Sequence, residues 1–314
     1  MRAFVFPGQG SQYIGMGVAL AQNFRCAQYI FDEIDEALSF KLFKLMSQGS
    51  ASDLQLTLNT QPALFAVSAA ILEVLKKEFN FVLQDSIHYL AGHSLGEYSA
   101  YYAGGSINLR DTAVTLRMRG QLMQDAVPEG VGGMIALIGA TMDQAEKLVE
   151  QVSNDSCCCN IANDNAPGQI IVSGHLNALE TLKLHAAEMG IKRVVALPVS
   201  APFHSPLMQS AAERMNDFLQ SFTFIQPILP LINNVTAQVS TSPDQIKPLL
   251  VQQITGRVRW CDTIEHMGNS GVSEIIEVGA GKVLSGLIKR INPDIVCHNI
   301  ESPDSIETWI KSIN

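Results

Sequence analysis

Gly92-His93-Ser94-Leu95-Gly96-Glu97 lies between a short strand-like segment (residues 88–91) and a helix-like one (residues 95–103). A serine on such a turn, with glycines two residues to either side, is a nucleophile elbow of the kind found in α/β-hydrolase-like folds. The glycines remove side chains that would collide around the strained serine backbone. The following helix directs its N-terminal amides and positive dipole end at the place where an oxyanion would develop. Ser94 is therefore the candidate nucleophile.

Upstream, the apolar strand Ala3-Phe4-Val5-Phe6 runs into Pro7-Gly8-Gln9-Gly10-Ser11-Gln12, glycine-rich enough for backbone amides to approach a ligand or another turn. It is not a phosphate loop. The G-x-x-x-x-G-K-[ST] pattern is missing, and G-x-G-x-x-G fails at Tyr13. Gly279-Ala280-Gly281-Lys282 is followed by Val283 rather than Ser or Thr, so neither loop reads as a nucleotide site.

Downstream, residues 18–47 read as helical. Thr60-Gln61-Pro62 reads as the capped start of a helix running to Lys77, and Gly104-Gly105 as the end of the elbow helix. Asp111 reads as the cap of a helix that extends to about Val127 and stops at Pro128. That helix carries Arg117 and Arg119, about 200° apart, so the two cannot face one pocket. Arg119 has Thr115, Leu116, Leu122 and Met123 as its helical neighbours, a mostly apolar face on which a guanidinium must be paired. It is a candidate clamp for a substrate carboxylate, with a structural pair to an internal Asp or Glu as the alternative.

From Gly132 the pattern becomes strand 133–139, helix 142–152, strands 157–162 and 169–173, helix 176–189 and strand 192–199. This β-α-β-β-α-β order is that of a ferredoxin-like unit. It predicts an inserted small domain over residues 131–199, within an α/β-hydrolase-like large domain formed by residues 1–130 and 200–314, and a site in the cleft between them. Ser200-Ala201-Pro202-Phe203-His204-Ser205-Pro206 follows at once, placing His204 in a proline-bracketed loop opposite the elbow. Strands at 228–233 and 274–278 and helices at 246–254, 261–267 and 283–291 complete a mostly parallel sheet covered by helices.

With 47% hydrophobic and 16% charged residues, the 314-residue chain has the composition of a globular enzyme rather than of a disordered protein. A net charge of −9 supplies no global field for nucleic acid, leaving Lys192-Arg193 and Lys289-Arg290 as local basic pairs. The N-terminus is too short in apolar residues for a signal peptide and no apolar run approaches a membrane span, so a cytoplasmic protein is expected. Cys157-Cys158-Cys159 cannot chelate one metal from a strand and read as small apolar residues; no metal site is expected.

Taken in order, Pro7-Gly8-Gln9-Gly10-Ser11-Gln12, Gln61-Pro62-Ala63, the elbow, Met118-Arg119-Gly120, Asn165-Ala166-Pro167-Gly168-Gln169, Phe203-His204-Ser205-Pro206 and Glu277-Val278-Gly279 resemble the malonyl-CoA:acyl-carrier-protein transacylases. The likeness spans residues 3 to about 291. It implies that Ser94 attacks a malonyl thioester with His204 as general base, and that the backbone amides of Gln9 and Leu95 hold the oxyanion. Arg119 is implied to grip the free carboxylate, and the backbone carbonyl of Gln253 to orient the histidine. Asn165 and Gln169 would line the coenzyme A side of the cleft, and Lys192, Arg193, Lys289 and Arg290 would dock the acidic acyl carrier protein. Malonyl-CoA is then substrate, no cofactor is bound, and type II fatty-acid synthesis is the implied setting. Phe203 matches the malonyl-selective form of its motif, while Ala280, Tyr101-Tyr102 and Pro202 depart from the usual pattern. A serine acyl hydrolase or thioesterase, or a non-catalytic carrier-protein scaffold, are the alternative readings.

Overall fold

The structure, a computed structural model, describes residues 1–154, 156–191, 193–199 and 201–313. Its strands are β1 (Arg2–Phe6), β2 (Tyr89–Gly92), β3 (Gly132–Ile138), β4 (Cys159–Ala166), β5 (Gln169–His175), β6 (Arg193–Ala196), β7 (Leu231–Ile232), β8 (Val239–Ser240), β9 (Val258–Arg259), β10 (Glu274–Val278) and β11 (Val296–Ile300). Among the described residues they form two sheets, giving an α/β fold of mixed sheets.

The larger sheet has the order β11-β10-β1-β2-β7-β8, parallel from β11 to β7 and antiparallel only between β7 and β8. Parallel strands are buried on both faces, and β1 shows it. Phe4 and Phe6 enter one hydrophobic core, Ala3 and Val5 the other. The register Phe6↔Gly92 sets the end of β1 beside the elbow, so the glycine-rich loop after β1 emerges next to Ser94.

The smaller sheet has the order β6-β3-β5-β4-β9. Its first four strands are antiparallel neighbours, and helices Met142–Val152 and Leu176–Glu188 intervene in the expected β-α-β-β-α-β order. Alternation along β3 divides its side chains: Ile135 and Leu137 pack in a separate small core, while Met134 and Ala136 join the main core. The fifth strand is a correction, since β9 comes from residues 258–259 and pairs in parallel with β4, Asn163 opposite Val258. The segment 131–199 thus does not complete its own sheet.

Several expected boundaries move, each for a local reason. Residues 18–47 form three helices, Val18–Asn23, Arg25–Leu38 and Leu42–Gln48, broken at extended Phe24 and left-handed Ser39. The strand of three cysteines begins only at Cys159; Cys157 makes an isolated bridge with Asn154. The cap of helix Leu109–Asp125 is Asn108, whose side chain accepts the Asp111 N–H, while Asp111 supplies first-turn negative charge. Strand β6 covers 193–196 of the expected 192–199, and Lys192 and Ser200 lie outside the described residues.

The helix expected from Thr60 runs Thr57–Glu78, with Pro62 inside it. A proline there cannot donate to the carbonyl four residues back, which is that of Leu58. Arg117 Nη1 donates to that carbonyl at 3.2 Å and also binds Asn59 Oδ1, so Arg117 repairs the gap. This helix is long and apolar enough to cross a membrane by length and composition, but 83% of its apolar window is buried inside the protein, as in a core helix.

Candidate active site

Ser94 has φ = +53°, the strained elbow backbone. A Cβ at Gly92 would lie 1.9 Å from the Gly96 carbonyl oxygen, and one at Gly96 2.2 Å from that of Phe6, so both flanking positions require glycine. The strained turn is held on both sides: the Ser94 N–H donates to Asn234 Oδ1 (2.7 Å), and its carbonyl accepts from Gln253 Nε2 (3.0 Å).

Ser94 Oγ lies 2.8 Å from His204 Nε2, and His204 Nδ1 lies 2.7 Å from the main-chain carbonyl of Gln253. A carbonyl only accepts, so the imidazole proton belongs on Nδ1 and Nε2 is left bare towards the serine hydroxyl. His204 is itself left-handed, φ = +57°, in a loop pinned by Asn160 Nδ2 donating to its carbonyl (2.9 Å) and by Ser205 Oγ donating to that of Pro202 (2.6 Å). Burial, and after it the charge of Arg119, push the imidazole down to about 3, so it is neutral and basic in form at neutral pH.

Arg119 is 1% exposed. Its Nη1 donates to Gln61 Oε1 (2.7 Å), and its Nη2 to Gln253 Oε1 (2.8 Å) and Ser94 Oγ (3.2 Å). All three acceptors are neutral oxygens, which disfavours the structural ion pair left open by the sequence. Buried Glu97 acts on the guanidinium only through space. Of the two arginines, Arg119 lines the cavity at Ser94, while Arg117 turns to the Leu58 carbonyl and Asn59.

These groups open on a cavity of roughly 230 Å³ between the two sheets, also lined by Gln9, Leu95, Asn165, Gln169 and Phe203. The backbone N–H groups of Gln9 and Leu95 have no partner among the described residues. Gln9 is steadied from its side chain, whose Oε1 accepts from Thr57 Oγ1 at 3.2 Å. Asn165 Oδ1 is 2.8 Å from His93 Nε2. Arg193, Lys289 and Arg290 are exposed, but Arg290 is already engaged, binding Gln169 Oε1 and donating to the Pro167 carbonyl at 2.7 Å.

The sequence reading assigned no role to Gln61, Asn234 or Glu97. Gln61 and Glu97 stand inside quoted motifs, whereas nothing around Asn234 marks it as the acceptor for an amide 140 residues away.

A polarised serine hydroxyl, two free amides and a buried cation in one cavity are the equipment of serine-based acyl chemistry. The acyl transferase domain family matches residues 3–311, and the chain belongs to that family. It is 41% identical to the malonyl CoA-acyl carrier protein transacylase of Bacillus subtilis, over 99% of this chain and 96% of the relative. Among solved structures, the acyl-carrier-protein S-malonyltransferase of Bartonella henselae has 47% identity and a TM-score of 0.96, covering 99% of both chains. A malonyl-transacylase solved in complex with a type II PKS acyl-carrier protein has 36% identity and a TM-score of 0.95, again over 99% of both.

Proposed function

We propose that this protein transfers the malonyl group of malonyl-CoA to the phosphopantetheine thiol of acyl carrier protein, through a malonyl ester on Ser94. The observation that carries the acyl specificity is Arg119: a buried guanidinium 3.2 Å from Ser94 Oγ, bound only to neutral oxygens. Such a cation favours an acyl group that brings its own carboxylate.

In the first half-reaction His204 Nε2 takes the Ser94 proton as Oγ adds to the thioester carbonyl. The amides of Gln9 and Leu95 receive the oxyanion, and the proton passes from His204 to the departing coenzyme A sulfur. The second half-reaction runs the same steps in reverse with the carrier thiol as nucleophile, giving ping-pong kinetics. The Gln253 carbonyl keeps the imidazole in the required tautomer. Phe203 narrows the pocket against an α-methyl branch, a discrimination of about 1–3 kcal/mol.

Asn165 and Gln169 serve the coenzyme A side of the cleft, and Lys192, Arg193, Lys289 and Arg290 the acidic carrier protein. No resident cofactor enters the scheme. The reading places the protein in the cytoplasm, supplying type II fatty-acid synthesis. It treats residues 1–130 and 200–314 as an α/β-hydrolase-like domain and residues 131–199 as a ferredoxin-like insert. The order β6-β3-β5-β4 supports the insert, with β9 as an addition from the large domain.

The test is intact mass after incubation with malonyl-CoA alone. A malonyl adduct is expected on the native chain and not on Ser94→Ala. Hydrolysis of malonyl-CoA without an adduct would favour an acyl hydrolase, and carrier-protein binding with neither reaction would favour a scaffold.

A further inference from the structure

Three groups at the site meet on Gln253. Its main-chain carbonyl holds His204 Nδ1, its side-chain Oε1 accepts from Arg119 Nη2, and its Nε2 donates to the Ser94 carbonyl. The side-chain amide must therefore point one way; flipped by 180°, it would set its NH₂ against the donors of Arg119. The Ser94 carbonyl, already receiving the Glu97 N–H, is one acceptor that resists the flip. The shorter bond is the second: Gln253 Nε2 donates to Glu97 Oε2 at 2.7 Å.

The same Glu97 oxygen accepts the backbone N–H of Asn234 at 2.9 Å, and Asn234 Oδ1 takes the N–H of Ser94. One carboxylate oxygen thus anchors both residues that grip the elbow. Glu97 is wholly buried, and its other oxygen has no partner among the described residues. The charged and titratable groups facing it are Arg119 from the neighbouring helix and Tyr98 and Tyr101 from its own.

We infer that Glu97 is a positioning residue for acyl selection: by fixing the orientation of the Gln253 amide it keeps the Arg119 guanidinium trained on the carboxylate of the incoming acyl group. This rests on the malonyl-transfer reading. Position 97 needs an atom that only accepts, and a glutamine can present its carbonyl oxygen to the same two donors. Alanine leaves the Asn234 N–H buried without a partner and strips Gln253 Nε2 of its shorter bond, leaving the amide chiefly the already shared Ser94 carbonyl.

The experiment compares the rates at which malonyl-CoA and acetyl-CoA load Ser94, by intact mass, in the native protein and in Glu97→Gln, Glu97→Ala and Glu97→Asp. Malonyl loading of the native protein tests the underlying reading separately. Loss of a hydrogen-bonded anchor for a charged group is expected to lower the malonyl-to-acetyl ratio about tenfold in Glu97→Ala. Glu97→Gln should keep the ratio within about threefold, because the accepting oxygen remains. An unchanged ratio in Glu97→Ala, both rates falling together, overturns the inference, since general damage to the fold would do the same. Equal loss in Glu97→Gln also overturns it, by showing that charge rather than orientation matters. If Glu97→Ala does not fold, Glu97→Asp, which draws the oxygen back by one methylene, must lose the ratio; retention there sinks the inference.

Discussion

Beneath Ser94, the polar side chains of Glu97, Asn234 and Gln253 are fully buried and linked through the Gln253 amide, whereas Arg193, Lys289 and Arg290, the rim proposed to meet the carrier protein, stand exposed. In the dry floor each hydrogen bond has no water to replace it, so a lost partner is felt in full. At the wet rim salt and solvent screen each charge, and single contacts are worth little. Removing one group from each region should therefore give effects of very different size.

The largest expected effect is on Arg119→Ala. Malonyl loading should fall about 10²-fold or more, because truncating a buried, hydrogen-bonded charge partner costs about 2–5 kcal/mol. The rate of adduct formation measures this, and a rate within a few-fold of native would remove the clamp from the account.

Gly92→Ala strikes the backbone of the same floor. With its new Cβ 1.9 Å from a carbonyl oxygen, the protein should lose about 1–3 kcal/mol or more in urea unfolding. A midpoint equal to native would show that the elbow can open.

A smaller effect separates the regions by pH. Burial raises the Glu97 carboxyl from 4.5 to about 7 in the folded state, so between these values the native protein binds a proton that the unfolded chain does not. The stability contributed is full below the unfolded value and lost as pH rises through about 7. Glu97→Gln removes this loss and should gain on the native protein in urea midpoint between pH 5 and pH 8. A constant difference across that range would mean that Glu97 stays charged throughout.

The smallest effect belongs to the rim. Arg193→Ala combined with Lys289→Ala should raise KM for an acidic carrier protein by about a few-fold, and less so at high salt, while loading from malonyl-CoA stays as it was. A large change in loading would show that the rim reaches the chemistry.

The same division explains what the sequence disclosed. Ser94, His204 and Arg119 were legible because each obeys a local rule: an elbow with its glycines, a proline-bracketed loop, an apolar helix face. Asn234 and the partnership of Glu97 with Gln253 were not, since they join residues 137 and 156 positions apart through side chains that no periodicity marks. In the fold, the break at Phe24 is hidden in the sequence because Leu20, Ala27, Ile30 and Phe31 keep helical spacing across it. Edge strand β11 is hidden because Val296 is exposed and only Ile300 is buried. The helix after it did carry a signal, Ser302-Pro303-Asp304, in which the Ser302 hydroxyl accepts the Ser305 N–H at 3.3 Å.

Ser94 and His204 share a left-handed backbone, at +53° and +57°. For residues with a Cβ that conformation costs about 1–2 kcal/mol each. A lineage selected for thermal robustness alone would drift towards glycine at both positions, gaining resistance to heat while discarding the hydroxyl and the imidazole. With Ser94 and His204 in the roles proposed above, libraries screened only for survival on heating should yield well-folded, inert descendants.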